Sequence, residues 1–238
     1  MKNKYFVLYL FFLLPVVFLS AQIKLSPIFS DNMVLQQQTK APIWGVAAQG
    51  KSIEILTSWD NKKYTTQADS KGNWRINIQT PKAGGPYSII ISDGNPIELT
   101  NVMIGEVWLC SGQSNMEMQI DGWGKVTNYE QELIEANNYP NIRLLQVEKA
   151  TSSKPLTDVK VAGNGWQVCS SQTVADFSAV GYFFGRDIHK YQNVPIGLIN
   201  TSWGGTVAET WTSAETLEKM PDYKYEIEQV KKLPALPL

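Results

Sequence analysis

From Gln22 to Asn101 the apolar positions come in short runs, several alternating strictly with polar ones, and turn-forming residues part them. Residues 33–35, 41–46, 52–57, 63–66, 74–78, 87–91 and 97–99 each read as a strand, because a period of two places one side chain in three dimensions on the core face and the next in solvent. Asp60-Asn61, Gly84-Gly85-Pro86 and Asp93-Gly94-Asn95 supply the turns between them. Short strands with no helical period predict a small all-β sandwich over 22–101. It holds no cluster of acid–base or metal-ligating residues, so a structural role is favoured over a sugar-binding one.

After Asn101 the rhythm changes. The apolar run Val107-Trp108-Leu109 predicts a buried strand over 106–109, residues 127–137 a helix, and 142–147 a second strand. An irregular stretch over 148–177 leads to a helix over 178–191, with Ser178 as its N-cap and Val180, Phe183, Phe184 and Ile188 near helical spacing. A third strand follows over 195–200, then helices over 213–217 and 223–232. Strands alternating with helices predict a parallel, doubly wound sheet with helices on both faces. Three parallel strands leave apolar faces and a sheet edge poorly covered. The chain is therefore expected to end partway through this second domain, 102–238.

The first residues alter this picture in one respect. Lys2 and Lys4 precede an uncharged, mostly apolar stretch, and Ser20-Ala21 puts small residues before Gln22. This is the pattern of a signal peptide over 1–21, too short and too interrupted by Pro15 for a membrane span. Export to the periplasm or beyond the cell is expected, with no membrane association after cleavage. Apolar content of 43%, charge of 18% and a net charge of -1 fit a globular protein and give no electrostatic case for nucleic acid. Cys110 and Cys169 could pair in an oxidising compartment or stay as two buried thiols. One histidine and two distant cysteines make no metal site. No phosphate loop or dinucleotide fingerprint is present, so no cofactor is expected.

The candidate chemistry sits at the end of the strand over 106–109, in Cys110-Ser111-Gly112-Gln113-Ser114-Asn115-Met116. A serine where a strand turns into a helix is placed for nucleophilic attack, since the helix N-terminus offers free N–H groups to a developing oxyanion. Gln113 and Asn115 are candidates to shape that turn. Gly204-Gly205 follows the third strand, at the same C-terminal end of the sheet, where α/β proteins bind their ligands. A glycine there lets a backbone N–H approach an oxyanion with no Cβ in the way.

Three ordered blocks carry a family resemblance. They are Val107 through Glu117, Phe177-Ser178-Ala179-Val180-Gly181-Tyr182-Phe183-Phe184-Gly185-Arg186, and Pro195-Ile196-Gly197-Leu198-Ile199-Asn200-Thr201-Ser202-Trp203-Gly204-Gly205-Thr206, with Trp211 close behind. Together they resemble the N-terminal portion of the sialate O-acetylesterases, of the SGNH (GDSL-like) hydrolase superfamily. Ser30-Asp31-Asn32-Met33-Val34-Leu35-Gln36 resembles their non-catalytic N-terminal module. The resemblance implies an SGNH-like α/β sheet and a serine esterase acting on O-acetylated sugars. Ser114 would be the nucleophile, and Gly205, with Gly204 close behind, would form the oxyanion hole beside the N–H of Ser114.

In that family the catalytic acid and histidine follow the Gly-Gly turn, whereas His189 precedes it. Asp187 and His189 stand two residues apart on a helix and point away from each other. His189 reads as structural, and the base is expected downstream of this chain. An acetyl-xylan-type esterase, or a glycan-binding protein with no catalysis, fits the same residues. The oligomeric state is not encoded in any feature of the sequence.

Overall fold

The computed structural model describes residues 22–234; the expected signal peptide over 1–21 lies outside the described residues. The first part of the chain forms β1 (Lys24–Leu25), β2 (Val34–Gln36), β3 (Lys40–Val46), β4 (Ser52–Thr57), β5 (Lys63–Gln67), β6 (Asn73–Gln79) and β7 (Gly84–Ser92). β1, β3 and β6 make a three-stranded antiparallel sheet. β4, β5 and β7 join the following strand, β8 (Pro96–Gly112), in a second sheet. The alternation explains the packing. In β4, Ile53 and Ile55 are fully buried while Glu54 between them is not. Ile43 and Ile78 from the first sheet meet Ile53, Ile55, Ile89 and Ile91 from the second in one core.

β8 departs from the expectation of two separate strands. It runs unbroken through the boundary expected between 101 and 102, and so belongs to both parts of the molecule. Opposite β7 its register slips: Leu99 faces Ile89, but Val102 faces Tyr87, so three residues of β8 span two of β7. Asn101, at φ +54°, absorbs the extra residue as a β-bulge. The Thr100-Asn101 pair at the expected boundary is therefore a bend inside one strand.

Beyond the bulge come α1 (Ser114–Glu117), α2 (Tyr129–Ala136), β9 (Ile142–Gln146), β10 (Gln167–Val168), α3 (Ser171–Val174), α4 (Ala179–Gln192), β11 (Ile196–Ser202), α5 (Ala214–Leu217) and α6 (Lys224–Lys232). β8, β11 and β9 lie parallel, in that order, with β10 antiparallel at the edge. The result is one mixed sheet with helices rather than an isolated parallel one. Cys110, Ile142, Leu144, Ile196 and Leu198 pack against Ala136, Val174, Ala179 and Tyr182 of α2, α3 and α4.

The expected helices on both faces are not what lies behind β9 and β11. Leu145 and Ile199 point the other way and join the core of the β-rich part. The curve of β8 brings that core onto the second face of the sheet. The run expected to be buried over 107–109 is also partly open, with Trp108 40% and Leu109 66% exposed. Past Gly105 no strand among the described residues pairs with the free side of β8.

Candidate active site

Three parallel strands deliver their C-terminal ends side by side. Cys110 of β8 is level with Asn200 of β11, which is level with Gln146 of β9, and Ser202 is level with Gly112. β8 stops at Gly112, whose φ of +149° suits glycine alone. Gln113 then precedes α1, and Ser114 is its first residue. Ser114 is half-buried, and its Oγ makes no hydrogen bond among the described residues. Gly112, Gln113, Asn115, Met116 and Val180 line a cleft of about 470 Å³ with it. Larger hollows exist, including one of about 820 Å³ on the β-rich part, but none of those residues offers a nucleophile at a helix start.

Gln113 and Asn115 shape this cleft by position. Their side chains make no cap to α1; the turn is held instead by the Gln113 carbonyl, which accepts from the N–H groups of Met116 and Glu117 at 3.0 and 2.9 Å.

The Gly-Gly turn is brought to Ser114 by one extension of the sheet. Trp203 N–H donates to the Gly112 carbonyl at 2.9 Å, continuing the β8–β11 ladder past the last paired residues. Gly204 then lies so close that a Cβ built on it would stand 3.5 Å from both Cα and Oγ of Ser114 and would overlap the Glu117 carboxylate. Gly205 differs: its φ is +77° and the space where a Cβ would go is open. Thr206 Oγ1 donates to the Trp203 carbonyl at 2.7 Å and accepts from Trp211 Nε1 at 2.8 Å, which closes the turn.

The two glycine N–H groups are in different states. Gly204 N–H donates to Glu117 Oε2 at 2.5 Å, while Gly205 N–H has no partner among the described residues. Glu117 holds Lys149 through its other oxygen, and Lys149 in turn lies 5.7 Å from the Trp203 ring. The Lys149 ammonium, followed by the Gly204 N–H, holds the Glu117 carboxyl below its ordinary pKa against the opposing effect of burial. The carboxylate is thus present throughout the neutral range and is lost only as pH falls through that lowered value.

Glu117 and Lys149 were not legible as site residues. Glu117 stands in the serine block with no signal of its role, and Lys149 sits in the irregular stretch, 32 residues further along the chain but adjacent in space.

His189 is not brought to Ser114. The site lies at the N-terminal end of α4, where Ala179 N–H donates to the Met118 carbonyl at 2.8 Å and Val180 borders the cleft. His189 is nine residues further on, about 14 Å along the helix axis at 1.5 Å per residue. Its Nδ1 lies 2.7 Å from the Val194 carbonyl and its ring meets Tyr139 edge-on. The two cysteines are free and buried in the core under α4. Burial raises the pKa of Cys110 and pushes that of Cys169 up to about 12, so neither is a ready thiolate. Among the described residues no group of three or more His, Cys, Asp or Glu side chains could hold a metal ion.

Known proteins resemble this chain in sequence and fold. The chain is 30% identical to mouse sialate O-acetylesterase over 206 residues, covering 80% of this chain and 38% of that protein. The human sialate O-acetylesterase matches at 30% over 204 residues, with 79% and 38% covered. This chain therefore spans well under half the length of these relatives. Among solved structures, a carbohydrate acetylesterase from Xanthomonas citri superposes with a TM-score of 0.75 at 30% identity, covering 89% of this chain and 45% of that one. Residues 104–234, from the middle of β8 onward, match the family described as carbohydrate esterase, sialic acid-specific acetylesterase. That span holds Ser114, Glu117 and the Gly-Gly turn, and the chain belongs to this sialic acid-specific acetylesterase family of carbohydrate esterases.

Proposed function

We propose that this chain carries the nucleophile and the backbone oxyanion donors of an esterase that removes O-acetyl groups from sugars. The observation that supports this most is the meeting of Ser114 with the Gly-Gly turn at adjoining strand ends, with one turn N–H left unpaired. In the reaction Ser114 Oγ attacks the acetyl carbonyl. The resulting oxyanion is held by the N–H groups of Ser114 and Gly205, and the carbon–oxygen bond to the sugar breaks as that hydroxyl takes a proton. Water then releases acetate and restores the serine. Gly205 is the better donor of the two glycines, because the N–H of Gly204 is held by Glu117.

Sialic acid is the first substrate to try, given what the relatives are called, and acetylated xylan the second. The β-rich part, read as a two-sheet sandwich, supports the esterase sheet without chemistry of its own. In this reading the protein is exported, and the base comes from residues other than those described. A glycan-binding role without catalysis is favoured by one observation: His189 lies far from Ser114 along α4.

Turnover of 4-methylumbelliferyl acetate by a protein that carries this chain together with the residues supplying the base separates these readings. The esterase reading expects release of the fluorophore that Ser114→Ala abolishes, a loss of several orders of magnitude in rate by analogy with other serine hydrolases. Equal rates for the two proteins would sink it. No turnover, together with saturable binding of acetylated sugar, would support the binding role.

A further inference from the structure

We propose that Glu117 is a positioning residue that aims the Gly-Gly turn at the nucleophile by holding the N–H of Gly204. The inference rests on the reading of Ser114 as the nucleophile.

Four contacts converge on this short turn. The Gly112 carbonyl takes the Trp203 N–H at 2.9 Å, Thr206 closes it from behind, and Trp211 steadies Thr206. These fix the two ends. Between them the Gly204 peptide could rotate, because glycine at both positions leaves the backbone the least restrained of any pair of residues. Glu117 removes that freedom. Its Oε2 takes the Gly204 N–H at 2.5 Å and sits where a Cβ on Gly204 would stand, so a side chain there would have to push the carboxylate aside.

Fixing the Gly204 N–H toward Glu117 also settles where the next N–H points. The mutual orientation of these two N–H groups is set by the backbone torsions of Gly204, which alone lie between their two peptide planes, and with both ends of the turn held those torsions have little freedom once the first N–H is fixed. A carboxylate on the first therefore leaves the second free with a set direction. Glu117 stands three residues after Ser114 in α1, so the same short helix carries both the nucleophile and the brace of its oxyanion donor. Any shift of α1 moves the two together. Preorganised donors of this kind are effective because no reorientation is needed as charge develops.

Lys149 holds the brace in place. It takes the other carboxylate oxygen, and it comes from the segment just after β9. Three strand-end loops, after β8, β9 and β11, are thus tied through one carboxylate. Glu117 is not suited to be the base itself, since one of its oxygens is engaged by Lys149 and the other by Gly204.

The test compares Glu117→Ala with Glu117→Gln in two measurements. On 4-methylumbelliferyl acetate, Glu117→Ala is expected to lower kcat tenfold or more with KM changed less than about twofold, as for loss of an interaction made in the transition state. Glu117→Gln, which keeps an oxygen to accept the Gly204 N–H, is expected to recover most of that loss. Equal damage from both substitutions, or an unchanged kcat in Glu117→Ala, would overturn the proposal. The second measurement needs no turnover. In proton–nitrogen correlation spectra the Gly204 amide proton should lie downfield in the wild-type chain and move upfield in Glu117→Ala. The nitrogen relaxation of Gly204 and Gly205 should then show faster motion, with Glu117→Gln close to wild type. An unmoved Gly204 resonance and unchanged relaxation would rule out the brace whatever the kinetics. Failure of the nucleophile reading is distinguishable, because it appears as turnover that survives Ser114→Ala.

Discussion

Gly204 and Gly205 are neighbours for opposite reasons, and single alanine substitutions should tell them apart. At Gly204 the limitation is space: an added methyl meets the Glu117 carboxylate and reaches Ser114 at 3.5 Å. At Gly205 it is the backbone, since the methyl would meet nothing but the φ of +77° is one that residues with a Cβ adopt at a cost of about 1–2 kcal/mol. Gly204→Ala is expected to move Glu117 and the serine turn, with a loss of acetyl-ester turnover of at least a hundredfold. Gly205→Ala should lower the melting temperature by several degrees while leaving the Gly204 amide resonance in place. Thermal melts, turnover and that resonance, recorded on both variants, check the contrast. The sequence made both glycines visible as a pair after a strand, and no more. Which N–H is free depends on Glu117 reaching across from α1, a contact over 87 positions of sequence that no local pattern records.

Elements were legible where a single period governs them. The helix expected over 178–191 is α4, and Ser178 caps it, its Oγ accepting the Gly181 N–H at 3.1 Å. Ser178 is fully buried at the end of α4 that borders the cleft, and the Sδ of Met116, two residues after Ser114, lies 3.5 Å from its Oγ. The cap therefore fixes the helix start against α1 as well as satisfying an orphan donor. Ser178→Ala is expected to destabilise the protein by about 1–2 kcal/mol, the range for loss of a helix cap. Denaturant titration should show it as a lower midpoint with an unchanged slope. Hydrogen exchange should localise the change to the first turn of α4 and to α1, with the His189 end protected as before. Elements failed to be legible where two contexts share one segment. β8 reads as two strands because Thr100-Asn101 is polar and turn-forming, yet the ladder with β7 continues on both sides of it. The exposed Leu109 misleads in the other direction, since an apolar run suggests burial whether or not a neighbour covers it.

At the scale of the molecule, the bulge in β8 is where the two parts are joined, and its polar groups carry the joint. Asn101 Nδ2 donates to Asn32 Oδ1 at 2.7 Å, and its own Oδ1 accepts from Arg143 Nη2 at 3.3 Å. Arg143 comes from β9 in the helical part, is buried, and also donates to the Pro140 carbonyl at 2.9 Å. Asn32 belongs to the β-rich part, and its backbone N–H reaches the Thr100 carbonyl at 3.0 Å. A buried guanidinium thus reads the conformation of a bulge that bends one sheet into the other. Arg143→Met keeps much of the apolar stem but removes the donor to the partly buried Asn101 Oδ1, and the loss is expected toward the lower end of the about 1–3 kcal/mol that an unpartnered buried acceptor costs. Asn101→Gly keeps the positive φ but removes both side-chain bonds, and Asn101→Ala adds backbone strain to the same loss. If the joint couples the two parts, Arg143→Met and Asn101→Gly should be less than additive in a double-mutant cycle, with an interaction energy of about 0.5–3 kcal/mol. Each single variant should also lower the unfolding midpoint seen by probes in either part together, because β8 cannot melt in one sheet and persist in the other. Full additivity, or separate transitions in the wild-type chain, would show the parts to be thermodynamically independent. The serine cleft depends on the outcome, since Ser114 is carried at the far end of the strand that this bulge aims.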